Sequence, residues 1–311
     1  MKYARVAVAG GFGFLGSRIV NQLCAKGYEV IAFSRQSGVD IREYDQVFGY
    51  LKEKSLDVVI NCAAHVGGIA YNKLHPLEVY QDNLAIGHNL LKAAVEAGVS
   101  KFVNVVPNCT YPGLLDVYRE REWWDGPMHE TVLTYGMPRK ALWVEAWAYQ
   151  RVKNFNSIHL VLPNLYGPGD HFDEIRSHAL GALVKKVIEA QVKGRGTIQI
   201  WGTGKPIREW GYVDDAAEGV VLAMEKYDEI GVMNIGEGKG YTITEIAEFI
   251  RDTSGWSGKF VYDKTRPDGA PKKVLDVSKM ERVLGWSPIT DIKTGIAKTV
   301  EWYKTHRMSQ N

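Results

Sequence analysis

The sequence predicts an α/β protein: a doubly wound parallel sheet with a smaller α/β lobe toward its carboxyl end. Three observations carry that expectation. Strand-length apolar runs alternate with helical periodicity from Arg5 to Leu162. The first run passes directly into Gly10-Gly11-Phe12-Gly13-Phe14-Leu15-Gly16, a glycine-rich turn that opens a helix. After Pro163 the texture changes to short strands, loops and scattered helices. Regular strand–helix alternation gives parallel strands with both faces covered, because each crossover helix lies over the sheet.

In order, Arg5–Ala9 reads as a buried strand, and Phe14–Lys26 as a helix with Leu15, Ile19, Val20 and Leu23 apolar, ended by Gly27. Glu29–Ser34 is the second strand, Tyr44–Lys54 a helix and Asp57–Cys62 the third strand. A long helix over Pro76–Ala97 stops at Gly98, and Lys101–Val106 makes the fourth strand. Tyr135–Lys153 is helical and Ile158–Leu162 is the fifth strand. Asn164–Gly169 reads as a loop, Ile175–Ala190 as a helix, Ile198–Trp201 and Arg208–Tyr212 as short strands. Val213–Lys226 and Val232–Ile235 return to the main sheet, and helices near Thr244–Ser254, Ser278–Leu284 and Ile292–His306 complete the smaller lobe. On this reading residues 1–163 with 210–235 hold a dinucleotide and residues 164–209 with 236–311 hold the substrate. Ligands are expected at the carboxyl ends of the strands, between the lobes.

Bulk properties narrow the function. At 311 residues there is enough chain for two lobes sharing a core. A formal charge of +2 argues against nucleic-acid or membrane-surface binding, and no apolar run reaches the length of a membrane span. Met1-Lys2-Tyr3-Ala4-Arg5 leads into a strand too short for a signal-peptide core. Cys24, Cys62 and Cys109 are odd in number and widely spaced, which indicates neither a disulfide framework nor a metal site. A cytoplasmic protein without a metal is expected.

The glycine turn stands in the context that gives it meaning, after a strand and at the opening of a helix. Gly10, Gly13 and Gly16 let the backbone approach a pyrophosphate, and Phe14 and Leu15 begin the helix whose N-terminus draws the anion. This is a Rossmann-type signal. The second strand normally ends in a carboxylate that holds the ribose of NAD. Here it ends Ala32-Phe33-Ser34-Arg35, and Ser34 with Arg35 suits a 2′-phosphate, so NADP(H) is favoured. Asp40 and Ile41 are placed to flank the adenine. Ala63 and Ala64, in Asn61-Cys62-Ala63-Ala64, offer small side chains where the cofactor passes close to backbone.

A second constellation is Thr134-Tyr135-Gly136-Met137-Pro138-Arg139-Lys140. A tyrosine with a pKa of about 10 works as an acid near neutrality only if a cation stabilises its phenolate. Arg139 is four residues on, one turn away on the same face, and Lys140 lies about 100° further round. Arginine supplies charge and donors but relays no proton. Pro138 in the first turn leaves open which cation serves Tyr135.

Several longer segments are more discriminating: Ala64-His65-Val66-Gly67-Gly68-Ile69, Asn108-Cys109-Thr110-Tyr111-Pro112, Asn164-Leu165-Tyr166-Gly167-Pro168, Ser177-His178, Trp201-Gly202-Thr203-Gly204-Lys205-Pro206-Ile207-Arg208-Glu209 and Arg266-Pro267-Asp268-Gly269. Through them the chain resembles, over nearly its whole length, the GDP-L-fucose synthase family. These are the GDP-4-keto-6-deoxymannose 3,5-epimerase/4-reductases of the extended short-chain dehydrogenase type. The resemblance implies NADPH, a nucleotide-sugar substrate with GDP favoured, and a homodimer paired through the two long helices. It implies Tyr135 as proton donor to the reduced ketone, and Cys109 with His178 as the acid/base pair of epimerisation. Lys186 and Arg208 become candidates for the substrate diphosphate, Lys273 for the nucleotide or its sugar, and Trp201 for stacking on a base or sugar.

Two positions depart from the family. Arg139 stands where it has lysine, and Pro107 where it has a serine hydroxyl that bonds the ketone; Asn108 and Thr110 are the nearby replacements. Both departures touch the reductase machinery. An epimerase without net reduction, and a non-catalytic nucleotide-sugar or NADP(H)-binding protein, are therefore the alternatives.

Overall fold

The structure is a computed structural model and describes residues 2–172, 179–266 and 268–307. The first half runs β1 (Arg5–Ala9), α1 (Phe14–Ala25), β2 (Glu29–Phe33), α2 (Tyr44–Lys52), β3 (Val58–Asn61), α3 (Ile69–Leu74), α4 (Pro76–Glu96), β4 (Lys101–Pro107), α5 (Leu133–Lys153) and β5 (Asn156–Leu162). The second half runs β6 (Asn164–Tyr166), α6 (Ala179–Val192), β7 (Thr197–Trp201), β8 (Ile207–Tyr212), α7 (Val213–Lys226), β9 (Val232–Asn234), β10 (Gly240–Thr242), α8 (Ile243–Ser254), β11 (Lys259–Asp263), β12 (Lys272–Lys273), α9 (Ser278–Leu284) and α10 (Ile292–Arg307).

Six strands form one parallel sheet in the order β2-β1-β3-β4-β5-β9. Its continuous apolar strands are buried on both faces. Ile19 and Leu23 of α1 pack with Val220, Val221 and Met224 of α7 on one side. Val47 and Leu51 of α2, Leu90 of α4 and Leu142 of α5 cover the other. Each such fully buried side chain contributes about 1.5–3 kcal/mol, so these two layers supply most of what holds the sheet. In the smaller lobe Leu183 and Val187, Ile246 and Ile250, and Ile296 and Val300 pack from α6, α8 and α10 around the short strands.

The structure changes several expectations, the strands β10, β11 and β12 among them. Asn164–Tyr166 is a strand, not loop: it pairs with Trp210–Tyr212 of β8, a contact between distant segments. The short helix α3 was not anticipated. The helix carrying Tyr135 begins two residues earlier, at Leu133. Finally α9, grouped from sequence with the smaller lobe, places Met280 and Leu284 in the core beside α7. Among the described residues no helix is long and apolar enough to cross a membrane.

Candidate active site

The sheet order reverses between β1 and β3, which opens a crevice at their carboxyl ends. Gly10 lies there with φ +72°, a conformation other residues rarely adopt, donating to Phe33 O at 2.8 Å and accepting from Gly13 N at 2.9 Å. A Cβ on Gly10 would sit 2.9 Å from Ala63 N, and one on Gly16 only 2.1 Å from Gly10 O. The α1 N-terminus has no side-chain cap and no acid in its first turn, so its amides are available to an anion. Leu15 contributes only backbone, its side chain being core. This cradle fits a pyrophosphate. Across the sheet, Asn61 donates to Asn104 Oδ1 at 3.0 Å, Asn104 Nδ2 lies 3.2 Å from His159 Nδ1, and Asn61 Oδ1 accepts from Ala63 N at 3.1 Å. That buried row fixes the Ala63–Ala64 turn. Burial holds His159 neutral, with its pKa pushed down to about 3.

At the adenosine end Arg35 is exposed and has no carboxylate partner among the described residues. Ser34 Oγ accepts from Gln36 N at 3.1 Å, capping the 35–37 turn that carries Arg35. Asp40 pairs with Arg42 at 2.6 Å, and that guanidinium holds its carboxyl below the ordinary range. Its negative charge is thereby offset, which suits a 2′-phosphate. Ile41 is only 5% exposed and packs into the α2–α4 core, instead of offering its side chain to the adenine.

Tyr135 lies in the first turn of α5, half-buried, with the Arg139 guanidinium 5.7 Å from its ring centroid. Burial pushes the phenol up and Arg139 pulls it back. Arg139 is itself buried, donating Nη2 to Asn83 Oδ1 of α4 at 2.9 Å, while its Nε has no partner. An unpartnered buried guanidinium N–H beside the phenol fits the ribose hydroxyls of a nicotinamide nucleotide. Lys140 does not join this group: its Nζ donates to Trp123 O at 2.5 Å and sits over the Trp124 ring at 4.5 Å. Asn83 is the participant that sequence spacing missed; nothing local joins a residue of α4 to one on α5.

Cys109 lies in the 108–110 turn after β4, and a Cβ on Gly136, next to Tyr135, would be 3.7 Å from its carbonyl. Burial raises the thiol pKa, and the Lys273 and Arg139 charges oppose that rise. Thr110 is already engaged: its hydroxyl donates to Pro107 O at 2.9 Å and accepts from Trp123 Nε1 at 2.9 Å. It does not replace the missing serine. Asn108 is 4% exposed with its Nδ2 unpartnered, so it retains a free donor. His178 lies outside the described residues.

Lys273 and Arg208 face each other in register on β12 and β8. Burial depresses both cations, and neither forms an ion pair among the described residues. The Tyr118 hydroxyl feels the charges of both Cys109 and Arg208; its backbone N donates to Val274 O at 2.8 Å and its ring stacks on Tyr111 at 4.7 Å. Lys186 and Trp201 sit further out: the Lys186 ammonium is 5.7 Å from the Trp201 ring, which is 62% exposed. The structure thus groups a phenol with a guanidinium, then a thiol, then two unpaired cations. That order can protonate an oxygen, exchange a carbon-bound proton and hold a diphosphate.

A parallel sheet with this glycine cradle and a tyrosine–cation pair defines an enzyme of the extended short-chain dehydrogenase/reductase type. Residues 6–236 match the NAD dependent epimerase/dehydratase family, and the chain belongs to it. It is 34% identical over 303 residues to GDP-L-fucose synthase 1 of Arabidopsis thaliana, covering 97% of this chain and 94% of that one. A GDP-6-OMe-4-keto-L-xylo-heptose reductase from Campylobacter jejuni superposes with a TM-score of 0.91 at 26% identity, covering 100% of this chain and 99% of that one. A GDP-mannoheptose C4 reductase from the same organism, solved with NADP bound, superposes at 0.88 with 26% identity, covering 98% and 99%.

Proposed function

We propose that the protein is an NADP(H)-dependent GDP-sugar epimerase/reductase. It inverts C3, C5 or both in a GDP-4-keto-6-deoxyhexose or close analogue and reduces the C4 ketone. The observation that most supports this is the placement of Arg139 against the Tyr135 ring, of the Cys109 turn against the adjoining Gly136, and of Lys273 opposite Arg208. Bound NADPH supplies the hydride that reaches C4. Tyr135 gives the proton to the developing alkoxide, and Arg139 stabilises the phenolate and holds the ribose. Cys109 exchanges protons at carbon next to the ketone, paired with His178 across the ring as the family resemblance implies. Arg208 and Lys273 bind the diphosphate, with Lys186 and Trp201 at the rim.

The same reading covers assembly and location. Leu77, Tyr80 and Leu84 of α4, with Met137, Val144 and Trp147 of α5, are exposed apolar side chains on the two long helices. They support a homodimer paired through α4 and α5; a cytoplasmic location belongs to the same proposal. A redox-neutral epimerase is the second reading, favoured by Pro107 and by the engaged Thr110 hydroxyl. Titrating purified protein with NADPH and then GDP-4-keto-6-deoxymannose separates the two. Oxidation of NADPH in step with substrate supports the reductase, whereas protein that retains oxidised cofactor and leaves added NADPH unchanged supports the second reading.

A further inference from the structure

The loop after β2 keeps an ionised carboxylate next to the turn that carries Arg35. Val39 N donates to Ser34 O at 3.2 Å, which brings Asp40 back beside that turn. The Arg42 guanidinium grips Asp40, with Nε 3.0 Å from Oδ1 and Nη2 2.6 Å from Oδ2. Its Nη1 reaches Asp82 of α4, 3.3 and 3.2 Å from the two oxygens, and Asp82 also lies 2.8 Å from His65 Nδ1. Hydrogen bonding from Arg42 is the main cause that holds the Asp40 carboxyl below the ordinary range, and the Arg35 charge adds to it. Asp40 therefore lies within electrostatic reach of Arg35.

The loop has anchors other than this guanidinium. Asn89 Nδ2 of α4 donates to Arg42 O at 2.7 Å, Asp40 N donates to Gln46 Oε1 at 3.1 Å, and Arg42 N donates to Asp40 Oδ1 at 3.0 Å. What the Arg42 head adds is charge. With it, Arg35 and Arg42 balance Asp40 and Asp82; without it, one cation is left with two carboxylates. A 2′-phosphate brings about −1.5 to −2 charges, and it alone distinguishes NADPH from NADH. We propose that Arg42 is a specificity-determining residue, which covers the Asp40 carboxylate and so sets the preference for NADP(H) over NAD(H). This rests on the 2′-phosphate lying at Ser34 and Arg35. Arg35 attracts that phosphate directly, whereas Arg42 acts by cancelling a repulsion.

The test is the pair of dissociation constants for NADPH and NADH, read by nicotinamide fluorescence on the full chain without sugar substrate. In Arg42→Met the constant for NADPH is expected to rise about tenfold while that for NADH moves by less than about twofold, and raising the salt should shrink the difference. Asp40→Asn/Arg42→Met should recover most of the loss, because the uncovered carboxylate is gone; a merely structural role of Arg42 predicts no such recovery. Asp40→Asn alone, which serves also if Arg42→Met does not fold, should raise the ratio of the NADH constant to the NADPH constant by about twofold or more. Equal weakening of both dinucleotides in Arg42→Met, no recovery in the double variant, or a lower ratio in Asp40→Asn would overturn the role of Arg42. Arg35→Ala tests the premise separately. If that variant binds NADPH as wild type does, the 2′-phosphate lies elsewhere and the proposal falls with its premise. A loss in Arg35→Ala with none in Arg42→Met overturns the role of Arg42 alone.

Discussion

Arg139 and Lys140 are neighbouring cations on α5 with opposite surroundings. Arg139 is buried against Asn83 and over Tyr135, with one N–H left free. Lys140 points the other way, its ammonium bonded to Trp123 O and flanked by the Trp123 and Trp124 rings. A rotation of about 100° per residue accounts for the split. Pro138 leaves α5 continuous from Leu133 to Lys153, so position 139 keeps its place one turn from Tyr135. Helix phase, not the chemical suitability of the cation, therefore decides which side chain lies beside the phenol. The site gains charge and a rigid fork of donors, and gives up proton exchange at that position.

The contrast can be broken at several points. Tyr135→Phe should lower NADPH oxidation about 10²–10⁴-fold while sparing deuterium incorporation, and Cys109→Ser should do the reverse; parallel absorbance and NMR assays check both. Arg139→Ala should cost about tenfold or more in reduction. It should also shift the pH profile of the reverse oxidation. Burial already raises the phenol and Arg139 opposes that, so without Arg139 the phenolate forms only at higher pH and the acid limb of oxidation moves upward. Arg35→Ala should raise the KM for NADPH about tenfold and leave that for NADH unchanged, a loss of about 1.4 kcal/mol specific to the 2′-phosphate. Lys140→Met should leave kcat near wild type and lower stability by about 1–3 kcal/mol, read as a fall in Tm. If Lys140→Met instead abolished reduction, the assignment of the two cations would be reversed.

The fold was largely legible because its signals are local. The apolar strand, the glycine turn and the caps at Gly27 and Gly98 each act within a few residues. What sequence alone left undecided depends on contacts between distant segments. Strand β6 exists because residues 164–166 find partners at 210–212. The choice between Arg139 and Lys140 depends on Asn83 and on Trp123 and Trp124, which lie 56, 17 and 16 residues from their respective partners. Likewise Thr110 looked available beside Cys109, but it is taken by Pro107 O and Trp123 Nε1.

The most direct measurement is proton NMR of GDP-4-keto-6-deoxymannose with the enzyme and NADPH in deuterated water. Deuterium at C3 and C5 accompanied by NADPH oxidation and a C4 alcohol is the predicted result, with Arg139 supporting Tyr135. Deuterium incorporation with no oxidation of NADPH would contradict it, leaving Cys109 chemistry without a working Tyr135–Arg139 pair.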